Sequence, residues 1–131
     1  MFRQHINYKT GSESFLYVPA TAAEVYVPGE ALSFNAAGTV TKCTGANTPD
    51  FICQEKKTAA AGDFIAVTLV HDQQMLEVPL EAAGTALKVG NKVTVGTDGL
   101  TVTATTTSGT FLIQEILGTA AGDLVRGYFK R

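Results

Sequence analysis

Alternating polar and apolar positions recur in short runs along the whole chain. Glu30-Ala-Leu-Ser-Phe34 and Asn91-Lys-Val-Thr-Val95 both follow the two-residue period of a half-buried strand. Each run leads into a turn signal, Asn35-Ala-Ala-Gly38 in one case and Gly96-Thr-Asp98-Gly99 in the other. Asp-Gly suits the positive φ of a tight hairpin turn. Further strands are expected over residues 39–43 and 100–105, rich in Thr and Val, and over 51–54 and 111–116. Closing strands follow a Gly-Asp turn at 64–70 and 124–130. Helix propensity is poor throughout. Only residues 20–24 and 80–83 allow a single helical turn, and the prolines before them suit loops equally.

The same runs expose an internal duplication at a shift of about 60 residues. Leu16-Tyr-Val18-Pro19 matches Leu76-Glu-Val78-Pro79, and Gly29 and Gly38 match Gly90 and Gly99 with a one-residue slip. Phe51-Ile-Cys-Gln54-Glu55 matches Phe111-Leu-Ile-Gln114-Glu115, and Ala60-Ala-Gly62-Asp63 matches Ala120-Ala-Gly122-Asp123. The organisation that follows is an N-terminal arm, residues 1–14, and a single β domain, 15–131, made of repeats at about 15–74 and 75–131. The expected fold is all-β: a small barrel or sandwich built from two tandem repeats, with the arm extended from it. Each unit alone is marginal and buries its apolar face against the other. Matched positions such as Cys53 and Ile113 mark core. Lys56-Lys57 against Ile116-Leu117 is the main divergence, so one copy exposes this stretch while the other buries it in the core or at an interface.

Composition narrows the function classes. Charged residues make up 17% of the 131 and the net charge is −2, so there is no basic stripe to hold a nucleic-acid backbone. No apolar run reaches the ~18–20 residues of a spanning helix, and the N-terminus lacks signal-peptide character, so no membrane role and synthesis in a cytoplasm are expected. Two cysteines, Cys43 and Cys53, make no disulfide framework and read as reduced structural thiols.

Catalytic chemistry finds no constellation. The two histidines, His5 and His71, stand in no nucleophile motif, and two Cys plus two distant His do not supply zinc spacing. The acids are scattered singly, which argues against calcium. The paired Ala-Ala-Gly-Asp segments precede strands and lack the Lys-Ser/Thr of a phosphate loop, so they read as turns. Gln54-Glu55 and Gln114-Glu115 read as inherited strand-end residues rather than an acid–base pair. No enzyme, metal or cofactor is expected. The arm, with Phe2, Arg3, His5, Ile6 and Tyr8, is richer in aromatic and basic groups than a solvated tail needs. It reads either as an extended arm that adds to a neighbour's sheet edge or lies across a partner, or as a tail that is tied to its own domain or disordered.

The segments Val27-Pro-Gly29-Glu-Ala-Leu, Ala36-Ala-Gly38-Thr-Val, Pro49-Asp-Phe-Ile-Cys and Ala60-Ala-Gly62-Asp63-Phe-Ile-Ala-Val resemble tailed-bacteriophage head decoration proteins, which stabilise or cement capsids. The resemblance covers residues 25–80 most clearly and rests on turn glycines and alternating strands. It implies a virion protein on the outer capsid surface that binds the major capsid protein, assembles as a homo-oligomer (a trimer is usual) and stabilises contacts between capsid subunits. The tandem duplication departs from simpler members and leaves a monomer or dimer open. With that role, the expected contact residues are the arm's Phe2, Arg3, His5, Ile6 and Tyr8 together with Ile116 and Leu117 of the divergent stretch. The alternative is a carbohydrate- or surface-binding β module such as the base of a head fibre. The absence of Trp and the dispersed tyrosines count against a sugar platform.

Overall fold

The computed structural model describes residues 1–7 and 15–130 and is all-β, with no helix among the described residues. The chain opens with β1 (Arg3–Asn7). The first half then forms β2 (Leu16–Pro19), β3 (Val25–Tyr26), β4 (Ala31–Phe34), β5 (Val40–Lys42), β6 (Phe51–Cys53), β7 (Lys57–Thr58) and β8 (Phe64–Leu69). The second half forms β9 (Gln74–Pro79), β10 (Lys92–Val93), β11 (Phe111–Ile116) and β12 (Leu124–Phe129). Two five-stranded antiparallel sheets result, ordered β2-β8-β6-β4-β5 and β1-β9-β12-β11-β10, with β3 and β7 as a separate pair. They stack as a sandwich and do not close into a barrel.

The central strands of the two sheets pair in the same register. Leu16 pairs with Val67 and Val18 with Ile65 in the first; Leu76 pairs with Gly127 and Val78 with Val125 in the second. Phe51 opposite Leu69 likewise recurs as Phe111 opposite Phe129. The Gly-Asp turns repeat as well. Asp63 Oδ2 accepts the Ala60 N–H at 2.8 Å, Asp123 Oδ2 accepts that of Ala120 at 3.0 Å, and Gly62 and Gly122 sit at φ 83° and 85°. Positive φ strains any residue with a Cβ, which explains glycine at both places.

Each sheet turns the matched apolar face inward. In the first half Val18, Leu32, Phe51, Cys53, Ile65 and Val67 form a core that Tyr26 closes. The Tyr26 hydroxyl donates to Val40 O at 2.6 Å and accepts the Thr21 N–H at 2.8 Å, so its burial leaves no polar atom stranded. The second core contains Leu76, Val78, Phe111, Ile113, Val125 and Phe129, and the first half adds Ala31, Cys43, Ile52 and Val70 to it. The halves are therefore one packed unit. Backbone bonds sew the seam: Ala31 N–H donates to Gly99 O at 2.8 Å, and Gly45 and Val95 exchange bonds at 2.9 Å.

Three features depart from the expected strands. Residues 100–105 form bridges through Val102 rather than a continuous strand, because Val102 is shared between Leu80 and Val95. β7 diverts the first half at Lys57, whereas β11 runs on through Ile116, so the divergent dipeptides lie in different local structures. The third is the start of the arm: residues 3–7 are not extended away but pair with β9 as an edge strand of the second sheet, Arg3 opposite Glu77 and Asn7 opposite Gln74.

Candidate interaction surfaces

The structure separates the residues expected at a contact. Phe2 is 2% exposed and lies in the second core, its ring 5.9 Å from Phe111 and 5.2 Å from Phe129 between centroids. It is a structural anchor here and presents no surface to a partner; the aromatic character that suggested docking is satisfied internally. The Phe2 N–H donates to Gly29 O at 2.8 Å, so the same residue clasps the first half. Arg3 is ion-paired to Glu77, which also accepts from Arg126 Nε at 2.9 Å. Both guanidinium groups hold the Glu77 carboxyl below its ordinary range. His5 is exposed on β1, and Ile6 lies in β1 opposite Met75. Tyr8 falls outside the described residues.

Of the divergent pair, Ile116 is half-buried against the second core, and Leu117 is 48% exposed. Their counterparts behave differently. Lys56 is exposed, while Lys57 pairs with Asp63 at 3.7 Å and donates to Phe64 O at 3.2 Å. Only Leu117 among the named pair offers an apolar side chain to solvent.

A larger apolar surface lies at the β2 edge. Phe15, Tyr17 and Phe64 are 61%, 68% and 54% exposed. Tyr17 lies opposite Ala66 and Pro19 opposite Phe64, so strand alternation puts all of these on one face at the β2 edge. The signal was present in Phe15-Leu-Tyr, three apolar or aromatic residues in succession, of which alternation puts Phe15 and Tyr17 on the same side. Beside this face a cleft of about 290 Å³ is lined by Phe15, Ile52 and Thr68 of the first half and by Arg3, Gln74 and Leu76 of the second sheet.

Glu55 Oε2 accepts the Ala66 N–H at 2.9 Å, whereas Glu115 pairs with Arg126 at 3.2 Å, so the two repeated carboxylates serve separate partners. Burial pushes the thiols of Cys43 and Cys53 up to about 11, which keeps them protonated and poorly nucleophilic. Among the described residues no three His, Cys, Asp or Glu side chains group to hold a metal ion. No helix there is long and apolar enough to cross a membrane.

Glu30 is the exception to this quiet electrostatics. It is 3% exposed at the seam, and its Oε1 has no hydrogen-bond partner. Burial raises its carboxyl from 4.5 to about 7; Lys42 opposes that shift, and Glu24 and Asp98 reinforce it. The folded state thus holds this proton up to about pH 7, while the unfolded chain releases it near 4.5. Stability contributed by protonated Glu30 is complete below the lower value and is lost as pH rises through the upper one. Glu30→Gln removes that loss. In urea unfolding at pH 8 the variant is expected to exceed the parent by on the order of 1–3 kcal/mol, and at pH 4.5 the two should nearly coincide. A difference independent of pH would exclude Glu30 as the titrating group.

No protein family model matches the chain, and no curated protein matches it. The fold is similar to that in "The crystal structure of head fiber gp8.5 N base in bacteriophage phi29", with a TM-score of 0.61 and 18% identity. The match covers 89% of this chain and 95% of that one, so it spans both halves rather than a single repeat.

Proposed function

We propose that the protein is a structural component of a tailed-phage head that binds the outside of the capsid and stabilises contacts between major capsid subunits. The observation that carries this reading is the end-to-end fold similarity to a phage head-fibre base, whose whole length this chain nearly spans. The turn-and-strand segments that resemble head decoration proteins point to the same place in a virion. The buried thiols and internally paired carboxylates favour a binding role over a catalytic one. A shell is reinforced by many weak copies acting together, since each bound copy adds its binding free energy to the intact state only.

The neighbour's description also favours a second reading, in which this domain is itself the base of a head fibre and stabilises nothing. One experiment separates the two. The purified protein is added to phage heads lacking surface proteins, and co-sedimentation is measured beside the temperature at which DNA-filled heads rupture. Binding with a raised rupture temperature is expected. Binding with no change supports the fibre base, and failure to sediment with heads sinks both.

Leu117→Lys tests the contact assigned to the divergent stretch. Leu117 is exposed, so the variant should fold and melt within about 0.5 kcal/mol of the parent, as surface substitutions do. Head binding should weaken by roughly tenfold, the equivalent of about 1.4 kcal/mol. Unchanged head binding would remove Leu117 from the interface.

A further inference from the structure

We infer that the open end of the first half's apolar sheet face docks a partner protein, which fills it with an aromatic side chain as Phe2 fills the matching end of the second half. That the partner is the major capsid protein rests on the function proposed above.

Strand register identifies the two ends. Leu16 lies opposite Val67, Leu69 opposite Phe51, and Phe51 opposite Leu32. Alternation therefore puts Leu16, Leu69, Phe51 and Phe34 on the side of the sheet that faces the first core. The Phe34 and Phe51 rings meet edge to face, 5.4 Å apart between centroids. The same pairing sets Leu76, Phe129 and Phe111 at the matching places in the second half, and the repeat puts Val95 where Phe34 stands.

The two ends differ in what covers them. None of the second set is more than 2% exposed, whereas Leu16, Phe34 and Leu69 are 43%, 50% and 48% exposed. The second end is closed by Phe2, whose ring packs against Phe111 and Phe129, and by Ala31, Ile52 and Val70 of the first half. Nothing equivalent buries the first end among the described residues. Single exposed leucines are ordinary on a protein surface, but three large apolar side chains grouped on one sheet end form a patch of the kind that binds partners.

The closed end also shows what fits the open one. A second copy cannot cover it by repeating the internal contact. Each copy's Phe2 is already buried in its own second core. The positions that match Ala31 and Val70 are Lys92 and Lys130, both exposed, and burying their ammonium groups against Leu16 and Phe34 is unfavourable. The occupant is therefore a different protein. An aromatic ring suits the place, because Phe34 and Phe51 offer it the edge-to-face contacts that Phe111 gives Phe2. Leu69 stands where the second half has the larger Phe129, which leaves room beside those rings.

The test places p-benzoylphenylalanine at position 34 of the full chain. The protein is bound to phage heads lacking surface proteins and irradiated, and crosslinked peptides are identified by mass spectrometry. A crosslink to a capsid-protein segment containing Phe, Tyr or Trp is expected. A capsid segment without an aromatic residue overturns the aromatic occupant. A crosslink to a second copy, or bound heads with no crosslink, overturns the docking site and leaves capsid binding intact. In parallel, Phe34→Glu and Leu69→Glu should each weaken head binding by at least about tenfold, since each sets a carboxylate in an apolar contact. Thermal melts check that both variants fold. Folded variants that bind heads as the parent does also overturn the site. A parent that fails to bind heads removes the proposed function, and the capsid protein as partner with it.

Discussion

Phe2→Ala is expected to lower stability by about 3–5 kcal/mol, the range for removing a buried aromatic ring from a packed core. In a domain of this size that corresponds to a fall in melting temperature of roughly 10–20 °C. The ring lies within 6 Å, centroid to centroid, of both Phe111 and Phe129, and all three are almost completely buried. Truncation leaves a cavity bounded by two large rings that are themselves fixed in strands, so collapse can fill only part of it. The loss also reaches the seam, because Phe2 N–H holds Gly29 O and Met1 packs so closely on Gly29 that a Cβ there would overlap it. Thermal unfolding and urea titration of the purified variant measure the effect. A loss under about 1 kcal/mol would mean that the aromatic cluster does not anchor the N-terminus.

This prediction changes how the arm can be used as a probe. Removing residues 1–14 strips β1 from the second sheet and Phe2 from its core, so lost head binding after such a deletion would report damage to the fold. Exposed positions such as Leu117 and Tyr17 give cleaner tests, since their side chains leave the core untouched.

The duplication was legible because its register depends on local patterning. Leu16-Tyr-Val18 and Leu76-Glu-Val78 share one alternation that buries Val18 and Val78, and a one-residue slip would have turned both valines to solvent. Strands 51–53 and 111–116 were legible for the same reason. What covers the second sheet was not. Phe2, Gln4 and Ile6 show a strand-like alternation, yet nothing in that pattern says whose sheet edge they join, and β9 lies some 70 residues away in the chain. Thr-rich residues 100–105 failed for a related reason. High β propensity is a local preference, while the bonding of Val102 is divided between Leu80 and Val95 by tertiary packing. At the candidate surface, Leu117 was identified from the difference between the copies. Tyr17 was not, because its counterpart Glu77 is polar and spent on two arginines, so nothing in the repeat marks the outward side of β2 as apolar.

Gly127→Val carries the same lesson to its largest backbone effect. Position 127 aligns with Val67, which is fully buried in the first core, and both occupy the same register in equivalent strands, opposite Leu76 and Leu16. By repeat logic the substitution restores a missing core valine. By geometry it cannot be accommodated in place. A Cβ on Gly127 would overlap the Leu112 carbonyl oxygen of the neighbouring strand and come within 3.1 Å of the Phe111 ring. The register of β11 against β12 shifts between Ile113 and Glu115, and that irregularity lies beside the close approach. A carbonyl in a ladder has no rotamer by which to withdraw, so the strands must separate and lose hydrogen bonds along with packing. Overpacking of a core side chain typically costs about 1–3 kcal/mol, and backbone displacement puts this change at or above about 3 kcal/mol. The reciprocal Val67→Gly only removes side-chain volume and adds backbone freedom. Denaturant titrations should find both variants destabilised, with Gly127→Val losing local amide-exchange protection across 111–113 and 127–129. Retention of that protection with near-parental stability would show that β11 and β12 can take a side chain at this crossing, and that the divergence from Val67 is incidental.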